Sequence, residues 1–93
     1  MDAQLPDGLT LQRTAEFDTA TVPAGLLRAH RLAEHVWAVV RVARGALRFV
    51  WEAESGPETA VELVAGESIV VPPQAPHRVE LGQETEFAVE FYR

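Results

Sequence analysis

The stretch Gly66-Glu67-Ser68-Ile69-Val70-Val71-Pro72-Pro73-Gln74-Ala75-Pro76-His77 decides the fold. Ser68 to Val71 is short, apolar and β-branched, as a buried strand requires. Pro72, Pro73 and Pro76 cannot donate ladder hydrogen bonds, so that strand must end at them. Gly66 and Glu67 turn the chain into it. His77 leaves the proline corner and opens a new alternation with Val79 and Leu81. A histidine so placed projects from the mouth of a strand pair, where a barrel holds a ligand or a metal.

Outward from that stretch the pattern stays β. Leu9, Leu11 and Arg13 alternate with Thr10, Gln12 and Thr14 as a first strand, after a tail over residues 1–8 that ends in a Pro6-Asp7-Gly8 turn. Phe17 to Pro23 reads as irregular. Pro23-Ala24-Gly25 turns into Leu26 to Arg31, where strand geometry puts Leu26, Arg28 and His30 on one side; a helix over 24–38 is the competing reading. Val36 to Ala43 is the longest strand signal. Arg44-Gly45 is expected to be a hairpin turn, returning through Ala46 to Glu52 with Leu47, Phe49 and Trp51 on one face. Thr59 to Val64 and Glu86 to Tyr92 follow, the latter with Phe87, Val89 and Phe91 opposed to Glu86, Ala88, Glu90 and Tyr92. About eight short strands at close spacing predict an all-β barrel or sandwich, in one domain over residues 1–93.

Composition narrows the chemistry. Ninety-three residues carry fourteen acidic and eight basic side chains, a net charge of -6. All the basic residues are arginine, and there is no cysteine. Thiolate metal sites, disulfides, cysteine nucleophiles and lysine Schiff bases are excluded. Nucleic acid and anionic membranes are unfavourable partners for so acidic a chain. The acidic start and the lack of a long apolar run make a cytoplasmic protein the expectation. The serines lack a Gly-x-Ser-x-Gly setting, and no Walker or dinucleotide loop occurs.

The spacing Gly66-x5-Pro72-x4-His77 resembles the second conserved motif of the cupins, which are double-stranded β-helix (jelly-roll) barrels. That motif usually has glycine where this chain has Gln74, and asparagine where it has Leu81. A narrower resemblance covers about Leu11 to Tyr92. Pro23 to His30, Trp37, Gly45-Ala46-Leu47-Arg48-Phe49, Pro72 to His77-Arg78-Val79-Glu80 and Phe91-Tyr92 resemble, in order and spacing, the small cupin-like domain of the tellurite-resistance (TehB/YeaR-like) family. In that family the domain occurs alone or ahead of a methyltransferase. This sequence has no Gly-rich strand-turn-helix for S-adenosylmethionine, so methyltransferase activity is not carried over. The resemblance implies a cupin barrel, binding of a divalent metal, and an association with tellurite or other oxyanion stress.

His30 matches a family histidine and His77 the cupin one. Two neutral imidazoles and a carboxylate form a common site for zinc, the first expectation, or for non-haem iron. The carboxylate is open between Glu80, which would need a β-bulge to join His77, and Glu90 on the last strand; Glu34 is near His30 in sequence. His35 is expected in a loop or at a strand end. Arg28 could hold an anion through paired hydrogen bonds, and Trp37 could belong to the apolar wall of a pocket. The favoured reading is a metal-binding cupin domain that takes a small, anionic ligand, as a homodimer joined through edge strands. A metal-dependent dioxygenase or isomerase, and a metal-free barrel acting through dimerisation, are the alternatives.

Overall fold

A computed structural model describes residues 4–27, 31–53 and 56–93. Seven strands occur among them: β1 (Leu11–Asp18), β2 (Trp37–Arg44), β3 (Ala46–Trp51), β4 (Thr59–Val64), β5 (Ser68–Val71), β6 (His77–Leu81) and β7 (Glu86–Tyr92). They form two antiparallel sheets, one ordered β1-β7-β2-β5 and the other β4-β3-β6. Neither sheet closes on itself.

The alternation builds the core. Ala38, Val40 and Val42 on β2, with Phe87 and Val89 on β7, face Leu47, Phe49 and Trp51 on β3 and Val79 on β6; all are buried. Phe49 and Leu47 are fully enclosed. Removing the Phe49 ring would cost roughly 3–5 kcal/mol, the usual range for a buried aromatic cut to alanine.

Several sequence expectations change. Arg44-Gly45 is not a hairpin turn, because β2 pairs with β5 and β7, while β3 pairs with β4 and β6. The chain instead passes from one sheet to the other at Gly45. The passage needs glycine twice over: its φ is +81°, and a Cβ there would lie 2.7 Å from Thr85 Oγ1 and 2.9 Å from Thr85 Cα. Thr85 is the polar pin of this end. Its buried hydroxyl donates to the carbonyls of Ala46 (2.9 Å) and Gly82 (3.0 Å) as a shared bond and accepts from the Ala46 N–H (3.3 Å). The Thr85 N–H donates to Thr19 Oγ1 at 3.1 Å, and the Thr19 N–H to the Thr85 carbonyl at 3.1 Å. Three connections that carry few apolar side chains are thereby held together with their buried polar groups satisfied.

The segment expected as a strand from Leu26 begins instead as a short 3-10 helix, Ala24–Leu27. Arg28, Ala29 and His30 lie outside the described residues. β1 runs to Asp18 rather than ending before Phe17, because Phe17 stands opposite Phe87, with ring centroids 5.6 Å apart. Asp18 then ends the strand, its Oδ1 accepting from the Ala20 and Thr21 N–H groups at 2.8 and 2.9 Å. β1 also departs from plain alternation. Leu11 is opposite Tyr92 but Arg13 is opposite Phe91, so a bulge at Gln12 separates the faces of Leu11 and Arg13.

Gln74 adopts φ +60°, at the position where the cupin motif usually has glycine. Its N–H donates to the Leu32 carbonyl at 3.1 Å, tying the proline corner to the buried Leu32 segment.

Two backbone predictions follow from these φ values. Gly45→Ala should lower stability by roughly 2–4 kcal/mol in denaturant titration, combining the left-handed penalty with overpacking against Thr85. The control is Gly66→Ala, where φ is +92° but nothing lies within 4 Å of the added Cβ; it should lose only the conformational part, about 1–2 kcal/mol. Equal losses would show that the Thr85 contact does not matter. Gln74→Gly should gain up to about 1 kcal/mol, the relief of left-handed strain less the extra unfolded-state entropy of glycine. A loss of stability would mean the side chain contributes something its backbone geometry hides.

Candidate functional site: an arginine-rimmed cavity between the sheets

The two sheets do not meet along their whole length. Where they part, on the side of β1 and the 3-10 helix, a cavity of about 540 Å³ opens. Its depth is apolar: Val40, Val71, Val79, Phe87 and Val89 line it and are buried. His77 is the one buried polar side chain of this wall among the described residues.

The proline corner delivers His77. Pro76 ends the turn, and His77 begins β6 opposite Trp51. Its ring stacks on Phe49, centroids 5.0 Å apart and planes 22° apart, and meets the edge of Trp51 at 6.5 Å. Nδ1 lies 2.9 Å from the Ala75 carbonyl, which can only accept. The proton of a neutral ring therefore sits on Nδ1, and Nε2 is the acceptor nitrogen. Beside it, the Trp51 indole Nε1 is buried and has no hydrogen-bond partner among the described residues.

The rim is cationic. β1 and β7 pair with Phe17 opposite Phe87, Ala15 opposite Val89 and Arg13 opposite Phe91. Paired residues of antiparallel strands share a face, and alternation continues the β7 series to Arg93. Along this inward stripe aromatic and aliphatic side chains give way to arginine at one end. Regular pairing from Arg13 to Asp18 keeps Arg13 on the inward side, and the bulge at Gln12 turns Leu11 off that face. Arg13 lies over the Phe91 ring, 4.2 Å from its centroid. Arg93 is fixed by two backbone bonds to Thr10, of 3.0 and 3.1 Å. Arg31 joins them at the rim.

Charge is sorted between the two sides of the sheets. Among the described residues no aspartate or glutamate lines the cavity, although acids outnumber bases fourteen to eight in the chain. The outward arginines are neutralised by glutamates. Arg41 donates to Glu90 at 2.9 Å, Arg44 lies near Glu84 and Glu86, and Arg48 near Glu62 and Glu80. Arg78 donates to Glu52, Glu58 and Glu80 at 2.9 to 3.1 Å. These bonds hold Arg78 further above its ordinary range and hold the Glu58 carboxyl below its own. No such carboxylate partner is found for Arg13 or Arg93 among the described residues.

The residues proposed from sequence are dispersed by this geometry. Of those among the described residues, only His77 lines the cavity. Glu80 faces outward toward Arg78 and Arg48, because it stands one position off the inward set of β6 and no bulge brings it back. Glu90 is on the outer face of β7, accepting from Arg41 and, at 3.0 Å, from the Tyr92 hydroxyl. Trp37 pairs with Tyr92 on that outer face and does not line the cavity. Glu34 contacts His35 in an exposed loop. His30 and Arg28 lie outside the described residues. Among the described residues no group of three histidine or acidic side chains could hold a metal ion. A divalent cation beside His77 would find guanidinium groups at the rim and no carboxylate, so the described donor set does not fit one. Sequence reasoning overlooked Arg13, Arg31 and Arg93. Arg13 could have been noticed as an arginine two and four residues before the apolar Ala15 and Phe17.

Fold and site together define a small two-sheet β domain with a hollow, arginine-rimmed interior. The chain belongs to the TehB-like domain family, whose model matches residues 12–89. No curated protein sequence matches it. Among solved structures, a protein of Escherichia coli K12 superimposes with a TM-score of 0.85 at 24% identity, over 98% of this chain and 96% of its own. TehB from Haemophilus influenzae superimposes with a TM-score of 0.83 at 24% identity. That match covers 92% of this chain but 32% of TehB, so the present chain spans about a third of that protein.

Glu90 gives the outer face a readable signature. Its hydrogen bond, burial of the hydroxyl and its charge together raise the Tyr92 phenol above the usual range. A raised folded-state value means this contribution to stability is whole below the ordinary phenol pKa near 10 and disappears as pH rises through the higher folded value. Tyr92 is the only tyrosine, so ultraviolet titration reads it alone. Glu90→Gln should bring its midpoint down toward 10; an unmoved midpoint would remove Glu90 from this role.

Proposed function

We propose that this domain binds a small molecule carrying negative charge in the cavity between its sheets, with the anionic group at the arginine rim. The observation that carries this reading is the sorting of charge. Among the described residues of an acidic chain no acid lines this hollow, and arginines stand at its mouth. Guanidinium groups at the edge of a low-dielectric hollow attract an anion and present paired donors to it. The volume falls within the range of about 300–1,000 Å³ common to small-molecule sites.

Binding is favoured over catalysis by what the wall contains. Among the described lining residues there is no serine, threonine, tyrosine or carboxylate. Those described residues offer neither a nucleophile for His77 to activate nor an acid to orient it, as acyl-transfer chemistry requires. The double-stranded β-helix of the cupins is our finer reading of the fold. It is supported by the way the chain changes sheets between β2 and β3, β4 and β5, β5 and β6, and β6 and β7. The family's association with tellurite resistance makes an oxyanion one candidate within this reading.

Ligand-induced thermal stabilisation tests it. Tellurite, phosphate and a set of simple and longer carboxylates are each compared with a neutral isostere. At a hundred times its Kd a ligand should add about 2.7 kcal/mol, a rise in Tm of order 10 °C for a domain of this size. Arg13→Gln combined with Arg93→Gln should abolish the rise. An equal response from the double variant, or from the neutral isostere, would defeat the reading. Elemental analysis of the same untagged protein bears on the metal expectation: a stoichiometric divalent ion lost in His77→Ala would replace this proposal by a metal site.

A further inference from the structure

We infer that the ligand is an amphipathic monoanion: an organic acid whose carboxylate lies at the rim with Arg13 and Arg93, and whose aliphatic or aromatic body runs inward along Val89 toward Phe87. This rests on the anion-binding reading above and specifies its chemistry.

The register of β1 and β7 supplies the argument. On their shared inward face the order from the closed end is Phe17 with Phe87, Ala15 with Val89, then Arg13 with Phe91, then Arg93. Polarity therefore changes along a line and not around a point. The arginines are exposed, whereas Phe87, Val89, Val71 and Val79 behind them are buried and line the same cavity. A ligand matching this line has one charged end and one apolar end.

An inorganic oxyanion suits only the outer part of it. Such an ion needs a donor or a water on every side, and a valine and phenylalanine wall offers neither. Placed deep it would lose its hydration without replacement; placed at the rim it would leave the apolar depth filled with poorly bonded water. An organic acid removes both defects, because its carboxylate keeps the rim donors while its body displaces that water. The Arg13 guanidinium already rests on the Phe91 ring at 4.2 Å. That stacking limits its freedom before any ligand arrives, which lowers the cost of ordering it around a carboxylate.

The apolar depth fits the same ligand. The line closes on Phe17 and Phe87, whereas His77 begins β6 opposite Trp51, at the same end of the strands as the arginines. Among the described residues the inner end of the cavity therefore presents no cationic donor to a second anionic group, and a dianion with charges at both ends is disfavoured.

Titration calorimetry of the intact chain with straight-chain monocarboxylates of increasing length tests this, alongside the matching primary alcohols, a dicarboxylate series and tellurite. Affinity should rise about fourfold per added methylene until the hollow is full. Each alcohol should bind at least about tenfold more weakly than its acid, as expected for loss of a charge-assisted contact. Arg13→Gln should weaken the acids about tenfold and leave the alcohols unchanged; Arg93→Gln, tested separately, guards against a folding defect in either variant. Three outcomes overturn the inference, and they differ in what else they remove. If tellurite binds as well as the best acid and chain length has no effect, the anion reading survives and the amphipathic class fails. Where alcohols equal acids, the hollow binds apolar molecules and both readings fail. No binding by any probe also removes both.

Discussion

The structure depends on the period-two alternation of its strands, which sends carboxylates out and apolar side chains in. With fourteen acids in ninety-three residues, a two-sheet fold survives only if almost none of them has to lie between the sheets, where an unpaired carboxylate would be expensive to bury. Glu62 and Glu80 flank Arg48, and Glu90 reaches Arg41, all on outward faces. The consequence for function comes from the same rule. An interior cleared of acids becomes attractive to negative charge as soon as a few arginines stand at its edge.

The two ends of the sandwich are built differently. At one end, Gly45, Gly82 and Thr85 draw three connections together through backbone and hydroxyl hydrogen bonds, and the sheets are held close. The other end has no comparable pin among the described residues. There the bulky pair of Phe49 and His77, the proline corner and the 3-10 helix keep the sheets apart. A hollow at the open end is compatible with stability because the enclosed core around Leu47, Leu63 and Val42 lies toward the pinned one. Packing and cavity are thus divided along the length of the domain, and neither compromises the other.

Membership of the TehB-like family agrees with this architecture, and the two solved relatives share the fold over nearly all of the chain. Fold does not assign chemistry. At 24% identity the superposition with TehB carries the arrangement of strands and leaves the occupant of the cavity to be argued from this chain's own side chains. Those side chains point to a guanidinium-rimmed apolar hollow, which is a different donor set from the imidazole-and-carboxylate grouping expected from the cupin motif.

The sequence by itself determined most of the strands and their faces, though not the segment from Leu26 or the end of β1. Ser68–Val71, Thr59–Val64 and Glu86–Tyr92 are bounded where glycine, proline and charge bound them. The inward sets Leu47-Phe49-Trp51 and Phe87-Val89-Phe91 follow from alternation alone, because both depend on neighbours within a few residues. Tertiary structure decided which strands pair and so which side chains meet. Arg44-Gly45 has the local chemistry of a hairpin, yet the chain changes sheets there, since both edges of β2 are already paired, with β5 and β7. The bulge at Gln12 depends on the register with Tyr92 and Phe91, some eighty positions away, and no local pattern announces it. Glu80 and Glu90 were plausible partners for His77 only while the faces of β6 and β7 were considered apart from their pairing. Once the sheets are assembled, each glutamate lies beside an arginine on the outer face, and the hollow is left to Arg13, Arg31, Arg93 and His77.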